Sequence, residues 1–226
     1  MEPNKIIMDA CEYNESPPLA IVKVMDRFYA NQLIESGSML FSHLGVFRAW
    51  ENPVLGDKFD GIAKLKRKES GSTCTIGCIN PVYAWCAALP VISPERVSTL
   101  ANSNKYNCIV RINNTRLMIE RFTAALSKQV GSNVHPICGM VSYDKGKYVG
   151  EESLGEIISS HEYRLDIFQK DTKFTEDREY RVSFTDYRRN SNVSNVPNEI
   201  FEPKCITLTI GNCSDIMEIA ALPNIS

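Results

Sequence analysis

From Glu179 to Phe184 the chain alternates polar and apolar residues without a break: Tyr180, Val182 and Phe184 interleave with Glu179, Arg181 and Ser183. A period of two sends successive side chains to opposite faces of an extended backbone, so this stretch predicts a β-strand and excludes an amphipathic helix. Ile206, Leu208 and Ile210 alternate with Thr207 and Thr209 in the same way. Ile137, Gly139, Val141 and Tyr143 repeat the pattern within 136–143, where a half-buried strand is expected. Further strand-forming runs lie at 20–25, 38–42, 73–89 and 107–112.

Helical signals are fewer. Asp26 is placed to cap a helix with Met25, Tyr29 and Leu33 on one stripe, and Gly37 to stop it in a left-handed conformation. Asn114 is placed to cap a second helix over 115–128, with Met118, Phe122 and Leu126 on one side. A third is expected over 152–163. Strands outnumber helices and come in runs, which predicts a mixed α+β fold with mainly antiparallel sheets over a doubly wound parallel one. Residues 1–18 are polar and end in Pro17-Pro18, the signature of a flexible N-terminal arm; 19–226 are expected to form a single domain. The charged stretches 48–72 and 186–203 read as loops, and 144–147 as a turn.

Composition removes several function classes. The chain has 226 residues, 43% hydrophobic and 23% charged, enough to bury a sizeable core. A net charge of -2 gives no global reason to expect nucleic acid or an anionic membrane, and leaves room for a local basic patch. The first residues lack the basic start and apolar run of a secretory signal, and no stretch approaches the roughly 20 apolar residues of a membrane span. A cytoplasmic location without membrane association is therefore expected, with eight reduced cysteines. Cys74, Cys86, Cys108 and Cys205 fall in strand-forming runs, where a free thiol packs as a small hydrophobe. Cys74 and Cys78 lack the further ligands of a zinc site, so no metal is expected. Neither a serine elbow, a Walker loop nor a dinucleotide-binding glycine fingerprint occurs.

Two constellations carry candidate chemistry. If 179–184 is a strand, Glu179 and Arg181 share one face and Asp177 joins them at its entrance. That face is either a charge ladder facing water on an edge strand, or two carboxylates and a guanidinium that orient a polar ligand. The second constellation is Arg27 and Tyr29 on the first helix with Arg48 and Glu51 just beyond the second strand. Arg48 is placed either to bind an anion bidentately or to pair with Glu51 one helical turn away. Phe41, Phe47 and Trp50 nearby read as core. The run Lys64-Leu65-Lys66-Arg67-Lys68 is a solvated face or a strip for phosphates.

Two blocks carry a family resemblance. The first runs from Arg27-Phe28-Tyr29-Ala30 through Leu33 to Phe41, Phe47-Arg48 and Glu51 to Gly56-Asp57 and Asp60-Gly61. The second is Lys170, then Phe174, then Asp177-Arg178-Glu179-Tyr180-Arg181. Together they resemble a group of uncharacterised bacterial and phage proteins with a late [QE]-x-E-[YW]-R strand. The layout is similar to the ADP-ribosyltransferase superfamily. This resemblance implies an enzyme that uses NAD as substrate to modify a macromolecular acceptor, protein or nucleic acid, as a toxin or host modifier in phage–bacterium conflict. An antitoxin or another host or phage protein is then an expected partner. It gives Glu179 the catalytic role of holding the nicotinamide ribose, with Asp177 beside it where the family has Gln or Glu. Arg27, Tyr29, Arg48 and Arg181 become the NAD-binding candidates, with Lys23 a further cation. The alternative implied by the Asp at 177 is a non-catalytic binding protein on the same scaffold.

Overall fold

The computed structural model describes residues 6–8, 11–13, 16–49, 56–77, 82–131, 134–144, 146–150, 165–186 and 205–223. The chain opens with strands β1 (Ile6–Met8), β2 (Cys11–Tyr13) and β3 (Ile21–Met25), then helix α1 (Arg27–Ser36), strand β4 (Ser38–His43) and helix α2 (Leu44–Ala49). Strands β5 (Ile62–Arg67), β6 (Thr73–Gly77) and β7 (Val82–Ala88) lead to helix α3 (Pro94–Asn104), β8 (Cys108–Ile112) and helix α4 (Thr115–Gln129). Next come β9 (Val134–Met140), β10 (Lys147–Val149), the short helix α5 (Leu165–Phe168) and a 3-10 turn over Thr172–Asp177. Strands β11 (Glu179–Asp186), β12 (Cys205–Thr209) and β13 (Met217–Ala220) complete the set.

Ten strands form one sheet in the order β1-β2-β9-β11-β7-β3-β8-β13, with β4 and β12 branching from β7; β10-β5-β6 make a second. The described pairings are antiparallel except β2 with β9 and β10 with β5, so the fold is mixed α+β with mainly antiparallel sheets. The branch has a local cause. β7 meets β3 at Val22–Ala88 alone and meets β4 at Tyr83 and Ala84, so the β7 edge between them loses its ladder. The Lys23 ammonium donates to the Cys86 carbonyl in that gap and lies over the Trp85 ring. A buried carbonyl needs such a partner once the neighbouring strand has turned away.

The apolar half of the β11 alternation sits in the main core. Tyr180, Val182 and Phe184 pack with Tyr83 and Trp85 of β7, Phe41 of β4, Ala30 and Leu33 of α1, and Met118, Ile119, Phe122 and Leu126 of α4. Phe41 stacks on Phe122 and Tyr83 on Phe184, each at 5.2 Å between centroids. Each such side chain contributes about 1.5–3 kcal/mol on burial. The caps are those expected: Asp26 accepts from the Phe28 N–H at 2.8 Å, and Asn114 from the Leu117 N–H at 3.0 Å. Gly37 has φ 68°, and a Cβ there would run into the Gly211 carbonyl.

Several expectations change. Residues expected as a loose arm include β1 and β2, which pair with each other and extend the main sheet along β9. Tyr29 leaves the buried stripe and is 59% exposed, because the buried face of α1 is carried by Ala30 and Leu33. The stretch expected as a loop over 48–72 contains β5, whose buried Ala63 and Leu65 alternate with Lys64 and Lys66. Residues 136–139 are buried on both faces, since Cys138 packs into the main core and Ile137 into a second cluster with Leu44, Ile167 and Phe168. Helix α3 was hidden from periodicity, although Ser93 caps it at the Arg96 N–H and Pro94 starts it. The helix expected over 152–163, the loop over 186–203 apart from Asp186, and Trp50, Glu51 and Cys78 lie outside the described residues.

Candidate functional site

β11 is no edge strand. Its residues pair with β7 on one side and β9 on the other, with Arg181 opposite Cys86 and Gly139. The face that carries Glu179 and Arg181 is covered rather than wet: Glu179 is 5% exposed and Arg181 is 0% exposed. Every charge placed there needs a partner, because desolvation without pairing costs several kcal/mol per ion.

Arg181 finds its partners through all three guanidinium nitrogens. Its Nε donates to Glu179 Oε1 at 2.5 Å, while Nη1 and Nη2 take Asp60 bidentately at 2.8 and 3.0 Å. Nη1 also donates to the Ile167 carbonyl at 2.5 Å. Lys170 Nζ donates to Glu179 Oε2 at 2.7 Å, so each oxygen of that carboxylate holds one cation. The Lys170 ammonium also lies 4.9 Å from the centre of the Phe174 ring. Asp177 ends the 3-10 turn, and Arg178, with φ 46°, swings the chain into β11. Asp177 therefore enters from the turn, not from the strand alternation. It receives Arg96 Nε at 2.6 Å and Nη2 at 2.5 Å, with Lys170 4.0 Å away.

Asp60 is delivered by its own local structure. Asp57 accepts from the Phe59 N–H at 2.9 Å, and its carbonyl from the Asp60 N–H, folding a tight turn. Gly61 leaves that turn at φ 74°, where a Cβ would crowd Leu44 and the Arg48 guanidinium. Arg48 itself donates to the Asp60 carbonyl at 3.0 Å. Two segments far apart in the chain thus meet in space, Asp60 on Arg181. Gln169 ties the small sheet to the same place, accepting from the Lys64 N–H at 2.8 Å and donating to Asp144. The Glu179 N–H donates to the Tyr143 hydroxyl at 2.8 Å.

Electrostatics follow from these contacts. Burial pushes the Glu179 carboxyl up, but Arg181 and Lys170 outweigh it and hold the group well below the usual carboxylate range. Burial likewise pulls the Lys170 ammonium down, and Glu179 and Asp60 more than offset it, so Lys170 is held above its ordinary value. Asp177 moves up, chiefly through burial, against the pull of Lys170 and Arg96. Burial, then the Glu179 charge, pushes the Cys86 thiol up to about 12, which makes it an unreactive neighbour. Lys23 is pulled down by burial while feeling the Glu179 charge.

The remaining sequence candidates do not gather here. Arg27 and Tyr29 sit exposed in the first turn of α1, with Tyr29 edge-on to Phe28, and share no described contact with the cluster. Arg48 touches it only through a backbone carbonyl. Arg181 belongs to it but has no exposed surface. Of the four residues expected to hold NAD, Arg48 and Arg181 both meet Asp60, while Arg27 and Tyr29 lie on the exposed first turn of α1. Nothing in the sequence gave Asp60 or Lys170 a role; Tyr143 carried only the signal of a strand residue, and Arg96 and Gln169 carried none. Asp60, Arg96, Lys170, Asp177, Glu179 and Arg181 supply three charges of each sign, which cancel within the cluster.

Among the described residues no group of three or more His, Cys, Asp or Glu is arranged to hold a metal, and no helix is long and apolar enough to cross a membrane. The chain matches no protein-family model, no curated protein and no solved structure.

Proposed function

We propose that this protein is a non-catalytic binding protein on an α+β scaffold, which engages a macromolecule and uses the Glu179–Arg181 cluster as an internal brace. The observation that carries the reading is the complete pairing of both candidate catalytic carboxylates. A carboxylate stabilises a sugar oxocarbenium through its field, and that field is strongest where it is not already quenched. Glu179 holds Arg181 at 2.5 Å and Lys170 at 2.7 Å, so two cations stand against one anion at the atoms that would face a ribose. Asp177 is likewise taken by Arg96. Neither Glu179 nor Lys170 exchanges a proton near neutrality, which leaves them poor general acids or bases.

A second reading is an NAD-dependent ADP-ribosyltransferase acting on a protein or nucleic acid in phage–bacterium conflict. What supports it is that Glu179 is kept ionised in a water-poor place at the start of a central strand. Incubation with labelled NAD and cell lysate separates the two. The binding reading expects no nicotinamide release, no label on any lysate component and no rise in melting temperature with NAD. Nicotinamide release that disappears in a folded Glu179→Gln variant would overturn it in favour of the transferase.

A further inference from the structure

We infer that the free edge of strand β12 pairs with the same strand of a second copy of this chain, making a twofold antiparallel dimer. The inference is independent of the role given to the Glu179–Arg181 cluster. Among the described residues β12 has one strand neighbour, β4, in a register that runs from Cys205 opposite Ser42 to Thr209 opposite Ser38. Two contacts fix the direction of its backbone groups. Ile210, just past the strand, donates its N–H inward to the Gly37 carbonyl at 3.1 Å. Thr209 points the other way: its N–H donates to the Gln129 side-chain oxygen at 3.1 Å, and its carbonyl accepts from the Gln129 amide nitrogen at 2.7 Å. Backbone direction alternates along a strand, so Thr207 and Cys205 share the outward sense of Thr209. Their N–H and C=O groups meet no partner among the described residues.

The Gln129 side chain gives Thr209 the donor and the acceptor that a neighbouring strand would give, and so closes the edge at that end. The segment left open is Cys205-Ile206-Thr207, and a twofold centred on Ile206 uses all of it. Cys205 of one copy then faces Thr207 of the other in two hydrogen-bonded pairs, and Ile206 faces Ile206. Ile206 is half-buried against the main core, so its counterpart covers what its own fold leaves exposed. Charge favours self-pairing. A twofold sets like residues close together, and the outward face of the β4–β12 ladder is Ser38, Leu40, Ser42, Cys205, Thr207 and Thr209, with no ionised side chain. β13, at one end of the main sheet, carries Glu218, and the same pairing there would bring two carboxylates together. Edge strands that stay alone are usually blunted by charge, proline or a bulge, and Cys205–Thr209 has none of these. An unstructured peptide would lose chain entropy on fitting this edge, whereas a second β12 is already extended.

Sedimentation equilibrium of the full chain in reducing buffer tests this through the dependence of mean mass on concentration. Wild type should climb from 25.4 kDa toward twice that value through the micromolar range. Thr207→Pro removes an N–H that is unpaired in the monomer, a change an edge strand tolerates. It deletes two hydrogen bonds per dimer and should weaken association about thirtyfold. Thr207→Lys, at an exposed position, should weaken it too, with a loss that shrinks as salt rises. Cross-linking reads the register. Thr207→Cys should give a disulfide-linked dimer on oxidation, because a hydrogen-bonded pair stands ~5.5 Å apart between Cα atoms, within the span of a disulfide. Adding Cys205→Ser should abolish that link, since the two new thiols stand diagonally across the twofold. A wild type that stays at 25.4 kDa at every concentration overturns the inference, and leaves the edge to another protein or to solvent. So does a dimer unweakened by Thr207→Pro and Thr207→Lys when circular dichroism shows both folded, or a cross-link that survives Cys205→Ser. Nicotinamide release dependent on Glu179 would defeat the non-catalytic reading alone and leave the mass result standing.

Discussion

β11 and β5 both carry runs of charge on alternating positions, and they meet opposite fates. Glu179 and Arg181 lie on a strand enclosed between β7 and β9, under a cover that includes Ile167, Phe168 and Leu44, and they are buried. Lys64 and Lys66 lie on a strand that is also central to its sheet, yet their face keeps contact with solvent beside exposed Thr73 and Thr75. Pairing position does not separate them; what covers the face does. The buried run is balanced, each anion matched by a cation within hydrogen-bond reach, while the half-buried run over 64–68 carries four cations in sequence. Burial forces neutrality because an uncompensated ion is costly in a dry interior, whereas water screens a patch of like charge.

The largest test of that contrast is Arg181→Met, which leaves Asp60 and Glu179 without their shared guanidinium. It should destabilise the protein by about 3–5 kcal/mol, read from the denaturant midpoint. Arg181→Lys should recover little, since an ammonium cannot hold Asp60 bidentately and reach Glu179 as well. A loss below about 1 kcal/mol would place this cluster in the class of surface ion pairs.

Lys170→Met should cost less, about 2 kcal/mol, because Glu179 keeps Arg181. Its sharper readout is pH. The depressed Glu179 carboxyl contributes stability that is full above its ordinary 4.5 and is lost as pH falls from there toward the folded value. The raised Lys170 contributes stability that is full below 10.5 and is lost as pH climbs through its folded value. Stability measured against pH should therefore show an acid limb that is shortened most in Glu179→Gln and less in Lys170→Met. An unchanged acid limb in both variants would assign acid unfolding to other carboxylates.

The smallest stability effect belongs to the half-buried run. Lys64→Gln/Lys66→Gln should move stability by no more than about 0.5 kcal/mol, by the same denaturant measurement. A larger loss would mean that these lysines are structural and that the two runs differ less than their exposure implies.

Much of the fold could be read in the residues. The alternation at 179–184 gave the strand and its apolar face, and Asp26, Gly37 and Asn114 marked helix ends through local hydrogen bonds and a left-handed turn. These signals are legible because their physics is confined to a few consecutive residues. β5 was obscured because its other face is lysine, which masks the buried Ala63 and Leu65, and α3 because its apolar stripe is short, Val97, Leu100 and Ala101.

For the candidate site, the sequence by itself determined that Glu179 and Arg181 share a face and that Asp177 stands near it. Only the tertiary structure decided whether that face meets water. It brought Asp60 to Arg181 across 121 positions and Arg96 to Asp177 across 81, and it left Arg27 and Tyr29 on the surface. The physical reason is that alternation fixes which side chains point the same way. The charge each of them feels is set by elements far away in the chain, whose arrival no local pattern records.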